Sequence, residues 1–76
     1  MKINLFALRP GDRMKLKIWA SESLHNQEMA TAAQIVLMAA EGVGARDIAQ
    51  WLKVSERAVS AALRKYRESG IWGLIR

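Results

Sequence analysis

The pattern of apolar and polar positions predicts a chain built from helices. Residues 27–41 hold Ala, Met, Gln, Leu and Glu without Pro or Gly, the best helix-forming run in the sequence. Within it Met29, Ala32, Ala33, Val36, Leu37 and Ala40 recur at i, i+3 and i+4, and Ile35, Met38 and Ala39 widen the apolar face. A helix so patterned is buried on more than one side, which makes it the central post of the fold. Asn26 is placed to cap its start and Gly42 to stop it. After Val43-Gly44, the residues Ile48, Ala49 and Leu52 fall at helical spacing and predict a short helix from Ala45 to Leu52. Lys53-Val54 then reads as a turn and Ser55 as an N-cap. Val59, Ala62, Leu63 and Tyr66 carry a further helix to about Ser69, closed by Gly70.

The two ends are less regular. Pro10 sits where a first helical residue loses nothing by lacking an N–H, and Asp12 suits the positive end of a helix, so a first helix is expected to start near Pro10 and end near residues 21–24. Its apolar residues Met14, Leu16, Ile18 and Trp19 form no clean stripe, but the four-residue spacing of Met14 and Ile18 predicts one greasy flank. Residues 2–8 are apolar and uncapped, which fits an extended arm, a strand or a lead-in to the first helix. Residues 71–76 are too few to fold alone and must dock on the core or on a partner. The fold class expected is all-α, four helices with a short N-terminal arm as a possible addition.

Composition narrows the function. Seventy-six residues suffice for one small domain, 51% of them hydrophobic and 25% charged, an ordinary globular balance. There is no cysteine, which removes disulfides and thiolate metal sites. The most apolar stretch, residues 30–40, is far short of the ~20 residues that span a bilayer, and the N-terminus lacks the layout of a signal peptide. A cytoplasmic protein is the expectation, with no membrane partner. His25 is the one histidine and has no paired carboxylate or cysteine beside it. Asp12, Asp47 and Glu56 are too scattered to share a metal or divide acid and base work. No catalytic residue, metal, cofactor or small-molecule substrate is therefore expected. The methionines suit gap filling, and Trp19, Trp51 and Trp72 suit core or interface packing, Trp51 least so because it lies off the apolar stripe.

Charge and motif converge on nucleic acid. The net charge is +5, from 12 Lys and Arg against 7 Asp and Glu. Residues 45–67 have the logic of two short helices packed across a tight turn: Ala49 is small where the second helix approaches, and Ile48, Leu52, Val54 and Val59 are spaced to fix the crossing. That turn ordinarily has glycine where this chain has Lys53, because a positive φ disfavours a Cβ by roughly 1 kcal/mol.

The sequence resembles the N-terminal helix-turn-helix of mariner-like insertion-sequence transposases. The likeness rests on Ile35-Val36-Leu37-Met38-Ala39-Ala40-Glu41-Gly42, Asp47-Ile48-Ala49, Leu52-Lys53-Val54-Ser55 and Arg64-Lys65-Tyr66-Arg67-Glu68-Ser69-Gly70, with Leu8-Arg9-Pro10-Gly11-Asp12-Arg13 similar to the opening helix. It implies a DNA-binding module with a four-helix, homeodomain-like helix-turn-helix fold, nucleoid-associated through DNA. Those transposases go on to a catalytic domain with three acidic metal ligands, so no transposition chemistry is expected within these residues. Ala61-Ala62 stand where the family carries bulky or basic residues, so its target sequence is not carried over.

If the last long helix enters a major groove N-terminus first, Ser55, Glu56, Arg57, Ser60, Ala61 and Arg64 face the bases. Arg57 and Arg64 suit guanine O6 and N7, and Glu56 suits cytosine N4 or the steadying of Arg57. Arg46, Lys53, Lys65 and Arg67 flank that face as phosphate contacts, while Arg13, Lys15 and Lys17 read as a solvated face. Two functional classes follow. One is a sequence-specific regulator, a repressor bound as a homodimer to an inverted repeat in double-stranded DNA, with the DNA-binding remnant of a transposase as its physical variant. The other is an assembly module that uses the helix-turn-helix shell and the apolar ends as adhesive surfaces.

Overall fold

A computed structural model describes residues 8–21 and 27–74. Asn26, His25, the N-terminal segment before Leu8 and the last two residues lie outside the described residues, so the expectations for an arm, a cap at Asn26 and the surroundings of His25 fall there. The elements are α1 (Asp12–Ser21), α2 (Gln27–Ala40), α3 (Ala45–Leu52), α4 (Glu56–Ser69) and a closing 3₁₀ turn, Gly70–Leu74. Among the described residues the fold is the expected all-α, four-helix arrangement.

α2 is the spine, and it separates two cores. On one side Ile35 and Ala39 meet Ile48 and Ala49 of α3 and Val59 and Ala62 of α4, with Leu52, Val54 and Leu63 at the margin. This cluster fixes α3 against α4. On the other side Ala33 and Val36 meet Leu16 of α1, Tyr66 of α4, and Ile71 and Leu74 of the closing turn. The breadth of the apolar face on α2 thus reflects two neighbours on different sides.

The turns explain the boundaries. Gly42 takes a φ of +93°. Its N–H donates to the Ala39 carbonyl at 3.0 Å, and that of Val43 to Met38 at 3.1 Å, the double back-bond that ends a helix on a left-handed residue.

α1 starts later than the sequence suggests. Gly11 has a φ of +83°, outside the helical region, so Arg9-Pro10-Gly11 forms a turn closed by Asp12 N–H to the Arg9 carbonyl at 3.1 Å. Pro10 belongs to that turn and is not the first helical residue. The expected greasy flank of Met14 and Ile18 is also corrected, because both are exposed and α1 instead buries Leu16, with Trp19 and Ala20 packed alongside. Polar bonds join the two ends of the chain. The Tyr66 hydroxyl donates to Asp12 Oδ2 at 2.7 Å and accepts from the Arg9 N–H at 2.8 Å. Burial raises the phenol's pKa above its ordinary 10, the Arg9 N–H opposes this, and Asp12 adds to it, so Tyr66 remains a neutral donor throughout the physiological range. The Arg9 guanidinium lies 5.8 Å from the centre of the Tyr66 ring and donates to the Arg67 carbonyl at 3.2 Å.

Residues 71–74 dock on the core, one of the two alternatives for the segment that follows Gly70. Ile71 and Leu74 are buried, Trp72 is exposed, and Trp19 and Trp72 meet edge to face at 6.5 Å between ring centres. Gly73 is what lets this turn lie on α4, since a Cβ there would stand 2.6 Å from the Lys65 carbonyl oxygen. Gly73→Ala is accordingly expected to destabilise the protein by ~1–3 kcal/mol, because backbone must shift to relieve the overlap. Urea denaturation measures this, and an unchanged midpoint would contradict the packing.

Candidate nucleic-acid interface

α3 and α4 form the bihelical unit expected for residues 45–67. Gly44 precedes α3 in an extended conformation, and the Ile48 N–H donates to its carbonyl at 2.9 Å. At the other end of α3, Lys53 adopts φ 60° and ψ 46°, the left-handed conformation that the sequence assigns to this turn. The Lys53 N–H donates to the Ala49 carbonyl, and the Val54 N–H donates to the same oxygen at 2.9 Å. The device that ends α2 on Gly42 therefore recurs at the end of α3 on a lysine.

Ser55 then starts α4. Its backbone is extended, with φ −78° and ψ 156°, and its Oγ accepts from the Ala58 N–H at 3.0 Å. The hydroxyl that the sequence places toward DNA is thus also the cap. Its own proton is left to donate, while one acceptor site is used.

Beyond Ser55 the helix divides cleanly. Val59, Ala62 and Tyr66 are buried in one stripe. Arg57, Ser60 and Arg64 fall on the opposite side at three-, four- and seven-residue spacing, and all three are exposed. Ala61 is half-buried, so it presents only part of its methyl group. Lys65 and Arg67 lie to either side of the Arg57–Arg64 line, and both are exposed, as are Lys53 and Arg46. Glu68 follows Arg64 by one turn and bounds the basic face toward the C-terminus.

Two features were not visible in the sequence. Glu56 engages Arg46, with Arg46 Nε 3.9 Å from Glu56 Oε2 and both side chains mostly exposed. The contact links the first turn of α3 to the first turn of α4. The second is Arg9, whose guanidinium fills the space left by Gly70, where a Cβ would come within 2.7 Å of its Nη1. Arg9 braces the C-terminal end of α4 through Tyr66 and Arg67. No helical period signals either contact, because each depends on how two separate elements cross.

Trp51 is exposed on the outer side of α3, so of the three tryptophans it is the one not packed on another ring or core residue cluster. Among the described residues no group of acidic, histidine or cysteine side chains is placed to hold a metal ion. Among them, too, no helix is long and apolar enough to cross a membrane.

A two-core, α2-spined bihelical unit with an outward basic helix defines a helix-turn-helix protein. The chain belongs to the homeodomain-like domain family, whose family model matches residues 26–75, the span from the threshold of α2 through the closing turn. α1 lies before that span. No curated protein and no solved structure matches the chain. The family supports DNA binding, with duplex DNA as the partner.

The lysine at position 53 is a cost that the fold does not require. A Cβ in the left-handed region is disfavoured by roughly 1 kcal/mol relative to glycine, and Lys53 is exposed, so packing gives nothing in return. Lys53→Gly is expected to stabilise the free protein by ~0.5–1 kcal/mol and to weaken binding to all duplexes alike. Thermal unfolding and a DNA titration on the same variant check this, and a loss of stability would contradict the strain.

Proposed function

We propose that this protein is a sequence-specific duplex-DNA-binding regulator that lays α4 in the major groove and acts as a repressor by occupying its site. The observation that carries the reading is the outer face of α4, where Arg57, Ser60 and Arg64 stand opposite the buried Val59–Ala62–Tyr66 stripe. Arg57 and Arg64 have the reach and fork geometry for guanine O6 and N7, and Ser60 serves a base or a phosphate. Lys53 and Lys65 flank the face and, with Arg67, set register on the phosphates. Their charges supply the sequence-independent part of the affinity. The protein acts by binding alone.

A single recognition helix reads three or four base pairs, too few to single out one site among the ~10⁶ or more competing sites of a genome. We therefore propose a homodimer on an inverted repeat, with half-sites about one helical turn apart. Two-fold symmetry would also cover apolar surface otherwise left in water, for which Trp51, Met14, Ile18 and Trp72 are the available side chains. An origin in the DNA-binding module of a mariner-like transposase is proposed on the residue runs that resemble that family. Such an origin bears on ancestry and leaves the reading of the interface unchanged.

The test is selection from a randomised duplex pool, followed by titration of the recovered duplex and a shuffled control at several salt concentrations. A steep salt slope with a clear preference for the recovered duplex supports the proposal. A steep slope without preference reduces it to non-specific binding, and no binding at low salt favours the assembly module. Sedimentation on and off DNA decides the dimer, and a monomer in both states would remove it.

A further inference from the structure

The ion pair between Arg46 and Glu56 places an anion where the rest of the interface gathers cations. Glu56 is the first residue of α4, beside Lys53 in the turn and Arg57 on the outer face. Free N–H groups at a helix start, with cations around them, attract phosphate of any sequence. A carboxylate at that point repels it. It also accepts hydrogen bonds and donates none when ionised. In the major groove, guanine presents acceptors at O6 and N7, thymine an acceptor at O4 beside its methyl group, adenine an amine beside the N7 acceptor, and cytosine its N4 amine. Facing a carboxylate, only cytosine is free of opposed lone pairs.

We propose that Glu56 is a specificity-determining acceptor for a cytosine N4 amine, that it keeps phosphate off the start of α4, and that Arg46 is its positioning residue rather than a phosphate contact. This rests on the reading of α4 as the recognition helix. The 3.9 Å separation and the exposure of both side chains make the pair worth little to folding. Its effect is geometric. Arg46 reaches from the first turn of α3 to the first turn of α4 and so tethers the carboxylate at the start of the helix that carries Arg57. The guanidinium also offsets the charge of Glu56 in the free protein, so the general attraction of the domain for DNA survives while the local site for phosphate does not.

The experiment compares base-preference profiles from a randomised duplex pool for the full chain and the variants Glu56→Gln, Glu56→Ala, Arg46→Met and Arg46→Lys. The unmodified protein should enrich cytosine at one position beside the base pair read by Arg57. Glu56→Ala should lose that enrichment by about tenfold and bind random duplex about threefold more tightly at 0.1 M salt. Glu56→Gln should move the preference to adenine, because an amide both donates and accepts. Arg46→Met should blur the same position without changing the thermal midpoint, and Arg46→Lys should restore part of it. If the unmodified chain enriches a sequence and the Glu56 variants enrich the same one, the inference fails while the recognition helix stands. If the unmodified chain enriches nothing, sequence-specific recognition itself fails and the inference falls with it. A uniform loss of affinity in Arg46→Met, with an intact profile, would return Arg46 to the phosphates.

Discussion

Arg57→Ala is expected to flatten base preference by about 5- to 150-fold at one position of the site, the range that corresponds to losing one bidentate contact to guanine. Arg57 lies in the first turn of α4, where a helix entering the groove by its N-terminus comes closest to the bases. It is exposed, and the buried stripe of Val59, Ala62 and Tyr66 leaves it no direction but outward. Lys65→Ala supplies the contrast. Lys65 is exposed on the flank of the same helix, so its loss should weaken every duplex alike and lower the slope of log affinity against log salt by about 0.9. Paired titrations of selected and shuffled duplex separate the two, and equal effects from the two variants would show that the face is misassigned.

The second large effect is on folding. Ile48→Ala is expected to destabilise the protein by ~2–5 kcal/mol, since Ile48 is fully buried where α2, α3 and α4 meet and its removal leaves a cavity. A domain of this size has roughly 4–11 kcal/mol in total, so a large part of its stability would go, and the thermal midpoint should fall by about 10–30 °C. Trp51→Ala is the control. The larger side chain is lost from the same helix, yet Trp51 is 77% exposed and the midpoint should move by less than about 4 °C. Circular dichroism melts decide, and comparable losses would mean that α3 presents a different face to the core.

Much of this was legible along the chain because helical periodicity reports on one element at a time. The stripe Val59–Ala62–Tyr66 fixes which side of α4 is inward, and therefore which side carries Arg57, Ser60 and Arg64. Ser55 and Lys53 were readable for a related reason, since capping and left-handed turns are set by the local backbone. The pattern misled at α1, where Gly11 takes a positive φ that no periodicity reveals, and where Met14 and Ile18 keep a core-like spacing on an outer face. It was silent on Arg46 with Glu56 and on Arg9 with Tyr66, because those pairs depend on how separate elements cross. Hydrophobic spacing gives the orientation of a helix about its axis, and says little about which polar groups meet at its ends.

The central claim is that the outer face of α4 is the surface that a duplex covers. Amide and side-chain chemical shifts of isotopically labelled protein, followed as the selected duplex is added, test it most directly. The largest changes should fall on Ser55, Glu56, Arg57, Ser60 and Arg64, with smaller ones at Lys53 and Lys65. Changes concentrated on α1 and the closing turn, with α4 unaffected, would contradict the account.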